Sequence, residues 1–155
     1  MSRHPLKALV IGSGIAMTCL PNEALAEKRF FTIAAVEPKG GVTTDKEPFP
    51  SEPLPGGGGY VLNKPDSNWE VSTYLWMPGQ ISVTEGDEVT LEFIGINGAS
   101  HPTTIKGFGK SFLLRRGTAT RVTFVADKVG VFPIECSTHR PSMTAEIIVL
   151  PRKSP

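Results

Sequence analysis

Gly86-Asp87-Glu88-Val89-Thr90-Leu91-Glu92-Phe93 alternates apolar and polar residues without a break once its opening turn is passed. Successive side chains of an extended chain point to opposite faces, so Val89, Leu91 and Phe93 share one side and Glu88, Thr90 and Glu92 the other. The stretch reads as a strand with one buried and one wet face, and Glu85-Gly86-Asp87 supplies the turn before it. Working outward, short β-branched and aromatic runs bounded by turn residues recur at 69–75, 80–84, 87–96, 101–105, 118–125, 130–136 and 143–150. Val122 and Phe124 alternate with Arg121 and Thr123, and Ile147 and Val149 do the same in the last run. Apart from the N-terminal segment, no 3.6-residue periodicity lasts a helix length, and there is no internal repeat. The fold class is all-β, a sandwich or barrel.

Upstream the texture differs. Phe30-Phe-Thr-Ile-Ala-Ala-Val36 is a further strand candidate, and the sequence leaves open whether it joins the main sheet. From Glu37 to Pro65 prolines and glycines crowd together, ending in the run Gly56–Gly59, which excludes a helix or a central strand and predicts an irregular extension. The first residues, Met1 to Lys7, are basic, and the apolar stretch Ala8–Leu20 that follows is too short for a mature membrane span. With the small-x-small site Ala24-Leu25-Ala26, this is the layout of a secretory signal peptide over 1–26, cleaved before Glu27. A short N-terminal anchor is the alternative, and both place the rest of the chain outside the cytoplasm, in the periplasm or otherwise exported. The organisation expected is 1–26 signal, 27–67 strand and extension, and 68–155 the β domain.

The whole sequence holds 16 basic and 15 acidic residues, and loss of Arg3, Lys7 and Glu23 with the signal leaves 14 of each. A neutral chain has no bulk attraction to nucleic acid. The mature chain keeps one cysteine, Cys136, two histidines, His101 and His139, and two methionines, Met77 and Met143. A lone thiol in an oxidising compartment has four explanations: a buried inert side chain, a nucleophile, an intermolecular disulfide or a metal ligand.

Three of these scarce residues fall in one loop between two strands, Glu135-Cys136-Ser137-Thr138-His139-Arg140-Pro141-Ser142-Met143. A thiolate, an imidazole and a thioether together suit copper, whose blue centres pair two histidines and a cysteine with a weak axial methionine. His101 is the remaining imidazole, at the start of a strand 35 residues upstream of Cys136 and after the turn-prone Asn97-Gly98-Ala99-Ser100. Read individually, Cys136 is also a core thiol, His101 a turn histidine and Met143 core filler. A nucleophilic Cys136 activated by His139 is the enzymatic alternative, but no third orienting partner or oxyanion loop stands nearby. Ser137 and Thr138 read as loop hydrogen-bond formers, and Trp69 and Trp76 as core or edge aromatics.

The upstream histidine, the Cys-x-x-His-x-x-x-Met loop and the apolar final strand Ala145–Leu150 resemble the cupredoxins, the family of plastocyanins, amicyanins and azurins. The 86–93 strand is similar to the one that precedes the first ligand in many of them, and the resemblance covers roughly 69–150. It implies a Greek-key β-sandwich that holds one copper ion per chain on His101, Cys136 and His139, with Met143 axial. It further implies a monomeric one-electron carrier, not an enzyme, that makes transient contact with a cytochrome or a reductase. Two features depart from the pattern. Three residues separate His139 from Met143, between the two of amicyanin-like and the four of plastocyanin-like loops, and Pro102 stands where several members have an asparagine.

The binuclear copper centre of cytochrome oxidase subunit II needs a second cysteine four residues away, and those places hold Phe132 and Arg140. A multicopper oxidase centre needs more imidazoles than the chain supplies. A copper carrier or assembly factor would use the same residues, though the extra methionines and histidines that suit exchange are absent. A metal-free interaction module is the third alternative. Lys106, Lys110, Arg115, Arg116, Arg121 and Arg140 follow the first ligand candidate, and Arg140 next to His139 would steer an acidic partner.

Overall fold

A computed structural model describes residues 25–52 and 58–153, so the expected signal peptide, but for its last two residues, lies outside the described residues. The chain forms strands β1 (Lys28–Val36), β2 (Lys39–Thr43), β3 (Tyr60–Asn63), β4 (Asn68–Thr73), β5 (Leu75–Met77) and β6 (Gln80–Thr84). These are followed by β7 (Glu88–Gly95), β8 (Ser100–Ile105), β9 (Lys110–Arg115), β10 (Ala119–Val125), β11 (Gly130–Cys136) and β12 (Thr144–Leu150).

Two sheets share one core. The first runs β10-β7-β1-β5 and the second β6-β12-β11-β8-β9. The alternation of 88–93 acts as expected: Val89, Leu91 and Phe93 are 0% exposed and face the core, and Glu88 lies outside. Ile33, Ala35, Trp76 and Phe124 complete this side, against Ile81, Ile105, Leu114, Ile134, Ile147 and Val149 from the other sheet. Burying a side chain of this size contributes about 1.5–3 kcal/mol each. The strand at 28–36, left open by the sequence, lies inside the sandwich, parallel to β7 from Lys28↔Glu88 to Ala35↔Gly95 and antiparallel to β5.

The Pro/Gly-rich extension is not wholly irregular. It contributes β2 and β3 as edge strands on either side of β4, in a third sheet ordered β2-β4-β3. The single run expected over 69–75 divides at Tyr74, where the chain leaves this third sheet as β4 and enters the sandwich as β5. The edge strand β9 was not expected, because its apolar residues Phe112, Leu113 and Leu114 sit consecutively between Lys110 and Arg115, too short a run to show a period. No helix among the described residues is long and apolar enough to cross a membrane.

Buried Asp87 ties both ends of the described chain to the turn before β7. Its Oδ1 accepts from the Glu27 N–H at 3.0 Å and Arg152 Nη2 at 2.9 Å, and its Oδ2 from the Thr84 N–H at 3.1 Å and Arg29 Nε at 3.2 Å. Burial pushes the carboxyl upward, but these donors together outweigh it and hold Asp87 at about 2.

Candidate metal centre

His101 is the second residue of β8 and Cys136 the last of β11, neighbouring antiparallel strands whose register pairs Cys136 with Thr103. The strand period of two turns His101, Thr103 and Ile105 inward from β8, and Ile134 and Cys136 inward from β11. Both candidate donors are 0% exposed. His139 comes from the β11–β12 loop, whose shape is set by its backbone: Cys136 N–H donates to the Met143 carbonyl at 3.1 Å and Met143 N–H to the His139 carbonyl at 2.9 Å. Ser142 Oγ adds a bond to the same His139 carbonyl at 3.1 Å.

The three side chains converge. His101 Nδ1 lies 3.3 Å from His139 Nδ1, and Cys136 Sγ lies 3.4 Å from His139 Nδ1 and 3.9 Å from His101 Nδ1. In a triangle with these edges the point equidistant from the corners is about 2 Å from each, close to metal–nitrogen and metal–sulfur bond lengths. Among the described residues this is the cluster of histidine, cysteine and acidic side chains able to hold a metal ion. Cys136 is a buried free thiol. Met143, the fourth expected ligand, is fully buried and hydrogen-bonded through its backbone to both Cys136 and His139.

The surroundings prepare the two imidazoles for a cation. His101 Nε2 is 2.7 Å from the Asn97 carbonyl. A carbonyl only accepts, so Nε2 carries the hydrogen and Nδ1 turns its lone pair to the cluster. His139 is held below the usual histidine range, first by burial and then by the neighbouring His101, with Glu37 opposing. Its neutral, ligating form is thereby favoured. A soft thiol, two imidazole nitrogens and an adjacent buried thioether residue make a donor set that fits copper.

Several contributors were not read from the sequence. Asn97 appeared only as a turn residue, Glu37 only as the start of the Pro/Gly-rich stretch, and Tyr74 only within the 69–75 run. Tyr74 lies with its ring centroid 4.1 Å from that of His139, the planes inclined by 31°. His139 is therefore half-buried beside an aromatic ring. Pro102 has no N–H to offer the site and gives its carbonyl instead, accepting from Ser137 N–H at 2.9 Å. Arg140 and Lys106 both approach Glu135 Oε2, at 3.6 and 2.8 Å, so the charge beside His139 is partly neutralised.

No family model and no curated protein matches the chain. Solved structures do. The multicopper oxidase mgLAC superposes with a TM-score of 0.54 at 17% identity, over 83% of this chain and 40% of that one. The copper nitrite reductase of Nitrosomonas europaea gives 0.54 at 20% identity, over 81% and 42%. A second multicopper oxidase gives 0.55 at 17% identity, over 82% and 44%.

The fold is cupredoxin-like. At these identities the likeness speaks for architecture, and the chain spans well under half the length of each of those proteins. It also corrects one expectation. A role outside catalysis was inferred from the resemblance to small electron carriers, with too few imidazoles for a coupled copper centre. The cupredoxin-like structures that superpose here are by name oxidases and a reductase, so this architecture occurs inside enzymes. The imidazole count limits what this one chain assembles by itself, and it does not separate a carrier from a domain of a catalyst.

Proposed function

We propose that the chain holds one copper ion on His101, Cys136 and His139, with Met143 in the axial place, and serves in one-electron transfer with a protein partner. The convergence of two Nδ1 atoms and one Sγ at 3.3–3.9 Å, from residues up to 38 positions apart, is the observation that supports this most directly. Copper bound there supplies a couple of two oxidation states that differ by one electron. The protein's part is to keep the donors still. His101 and Cys136 are fixed by the β8–β11 ladder, His101 is oriented by the Asn97 carbonyl, and the loop is closed by the Cys136–Met143 backbone bond. Donors that do not have to move between states keep the reorganisation of the site small. Full burial of Cys136 also shields the thiolate from oxidation, which answers why a lone thiol persists in an exported protein.

A transient partner, a cytochrome or a reductase, would dock at the ligand-loop end, where Ala99, Pro102 and Pro141 are exposed. Lys106 and Arg140 around the single Glu135 leave that rim net positive and suited to an acidic partner. The chain would act as a monomer in the periplasm or an equivalent exported compartment.

The direct test is optical. Purified protein titrated with Cu(II) should bind one equivalent and develop an intense thiolate-to-copper absorption in the red part of the visible spectrum, abolished in Cys136→Ser. Protein that stays colourless and copper-free after loading would refute the proposal, and a colourless protein that takes up zinc alone would reassign the site.

A further inference from the structure

Of the three converging donors, His139 is the least secured. His101 and Cys136 are 0% exposed and held on strands, whereas His139 is half-buried on a loop. A loop imidazole turns about its side-chain bonds unless a neighbour packs against it. Tyr74 is that neighbour. Besides the 4.1 Å stack on His139, its ring lies 5.6 Å from His101 at 62°, so one side chain touches both imidazoles.

Tyr74 is itself held from several directions. It occupies the junction at which the chain passes from the third sheet to the sandwich, between β4 and buried Trp76 of β5. The preceding Thr73 donates through Oγ1 to the Gly59 carbonyl at 3.1 Å. Ser142, inside the ligand loop, has its Oγ 3.0 Å from that same carbonyl, so its one hydroxyl hydrogen is shared between the Gly59 and His139 carbonyls. The third sheet and the ligand loop are thus fastened to one point. Burial and the nearby Glu37 carboxylate hold the Tyr74 hydroxyl above its usual range, which places Glu37 beside it. The Glu37 N–H donates to Asn97 Oδ1 at 3.1 Å, and the Asn97 carbonyl receives His101 Nε2. His139, Tyr74, Glu37, Asn97 and His101 thus form one ring of neighbours around the cluster. Gly98 completes it, because a Cβ there would stand 2.7 Å from His101 Cε1 and 3.0 Å from Tyr74 Cε1.

We propose that Tyr74 is a positioning residue for His139, its ring face fixing the imidazole and closing the outer side of the donor cluster against solvent and small ligands. The proposal rests on the copper reading only in taking His139 to be a ligand, since the stack belongs to the protein itself. It also explains what the Pro/Gly-rich extension contributes, because the β2-β4-β3 sheet delivers Tyr74 to the site.

The test uses the metal-free full chain and diethyl pyrocarbonate, which modifies accessible neutral imidazoles, at about pH 8, where histidines are deprotonated. Modification of His139, followed by mass spectrometry of its peptide, should run about two- to tenfold faster in Tyr74→Ala, the ratio that an aromatic pair of this kind is worth. Tyr74→Phe, which keeps the ring and loses the hydroxyl, should restore the slow rate. Tyr74→Leu serves in place of the alanine variant if that one does not fold. In copper-loaded protein, added imidazole should perturb the visible spectrum of the alanine or leucine variant at lower concentration than that of the wild type. Equal His139 reactivity in wild type and in the ring-deleted variant would overturn the proposal. A phenylalanine variant that reacts as fast as the alanine variant would also overturn it, by moving the effect from the ring to the hydroxyl. If His139 is protected by Tyr74 yet no copper binds, the positioning role stands and the proposed function fails.

Discussion

Replacing Asp87 by Asn removes a buried carboxylate that receives four donors from Glu27, Thr84, Arg29 and Arg152. The carboxyl sits at about 2 in the folded protein against 3.8 for the free group. A depressed carboxyl stabilises the fold wherever it is ionised in both states, so its contribution is complete above about pH 4 and is lost as pH falls toward 2. At 1.36 kcal/mol per unit, the difference corresponds to about 2 kcal/mol. The amide of asparagine also turns an N–H toward existing donors, which adds to the loss at neutral pH. Urea unfolding of wild type and Asp87→Asn should therefore differ by about 2 kcal/mol or more at pH 7. The gap should narrow through pH 4 and 3, with slopes of the unfolding curves unchanged. Equal stability at pH 7, or a gap that stays constant down to pH 2, would refute the assignment of Asp87 as the ionised clamp between the chain ends.

Two further outcomes follow from the site. His139→Gly should abolish the native copper spectrum and regain a related one on addition of imidazole, which fills the space of the missing side chain; an unchanged spectrum in the variant alone would remove His139 from the ligand set. Gly98→Ala should loosen the centre, because Gly98 has φ +76° and a methyl there meets the His101 and Tyr74 rings. Copper affinity measured by competition with a chelator should fall about five- to 150-fold, equivalent to the 1–3 kcal/mol of strain typical of such a position.

The alternation at 88–93, the turn at Glu85–Asp87 and the apolar last strand were legible because each is a local pattern, and β7 and β12 lie within a residue of their expected bounds. The division of 69–75 at Tyr74 was not, because Trp69 to Leu75 has uniform strand propensity and the change of sheet is decided by what each half pairs with. The edge strands β2 and β3 were hidden by Gly40, Gly41 and the glycine run: a strand at a sheet edge tolerates weak formers that a central one does not. In the site, Cys136, His139 and Met143 were visible as neighbours in one loop. His101 was found through scarcity and family likeness. Tyr74, Glu37 and the Asn97 carbonyl carry no signal of their own, since a tyrosine, a glutamate and a backbone oxygen are ordinary in any strand or turn.

The sequence by itself determined the all-β class, through side-chain alternation, and the kind of donor available, through the rarity of thiol, imidazole and thioether. Both are properties of residue type and near spacing. Only the tertiary structure decided that His101 and Cys136 face the same interior point, because that depends on the register of β8 against β11. It also decided that a strand far upstream belongs to the core and that the third sheet brings Tyr74 onto His139. Such contacts join residues tens of positions apart, and packing and register, not local propensity, select them.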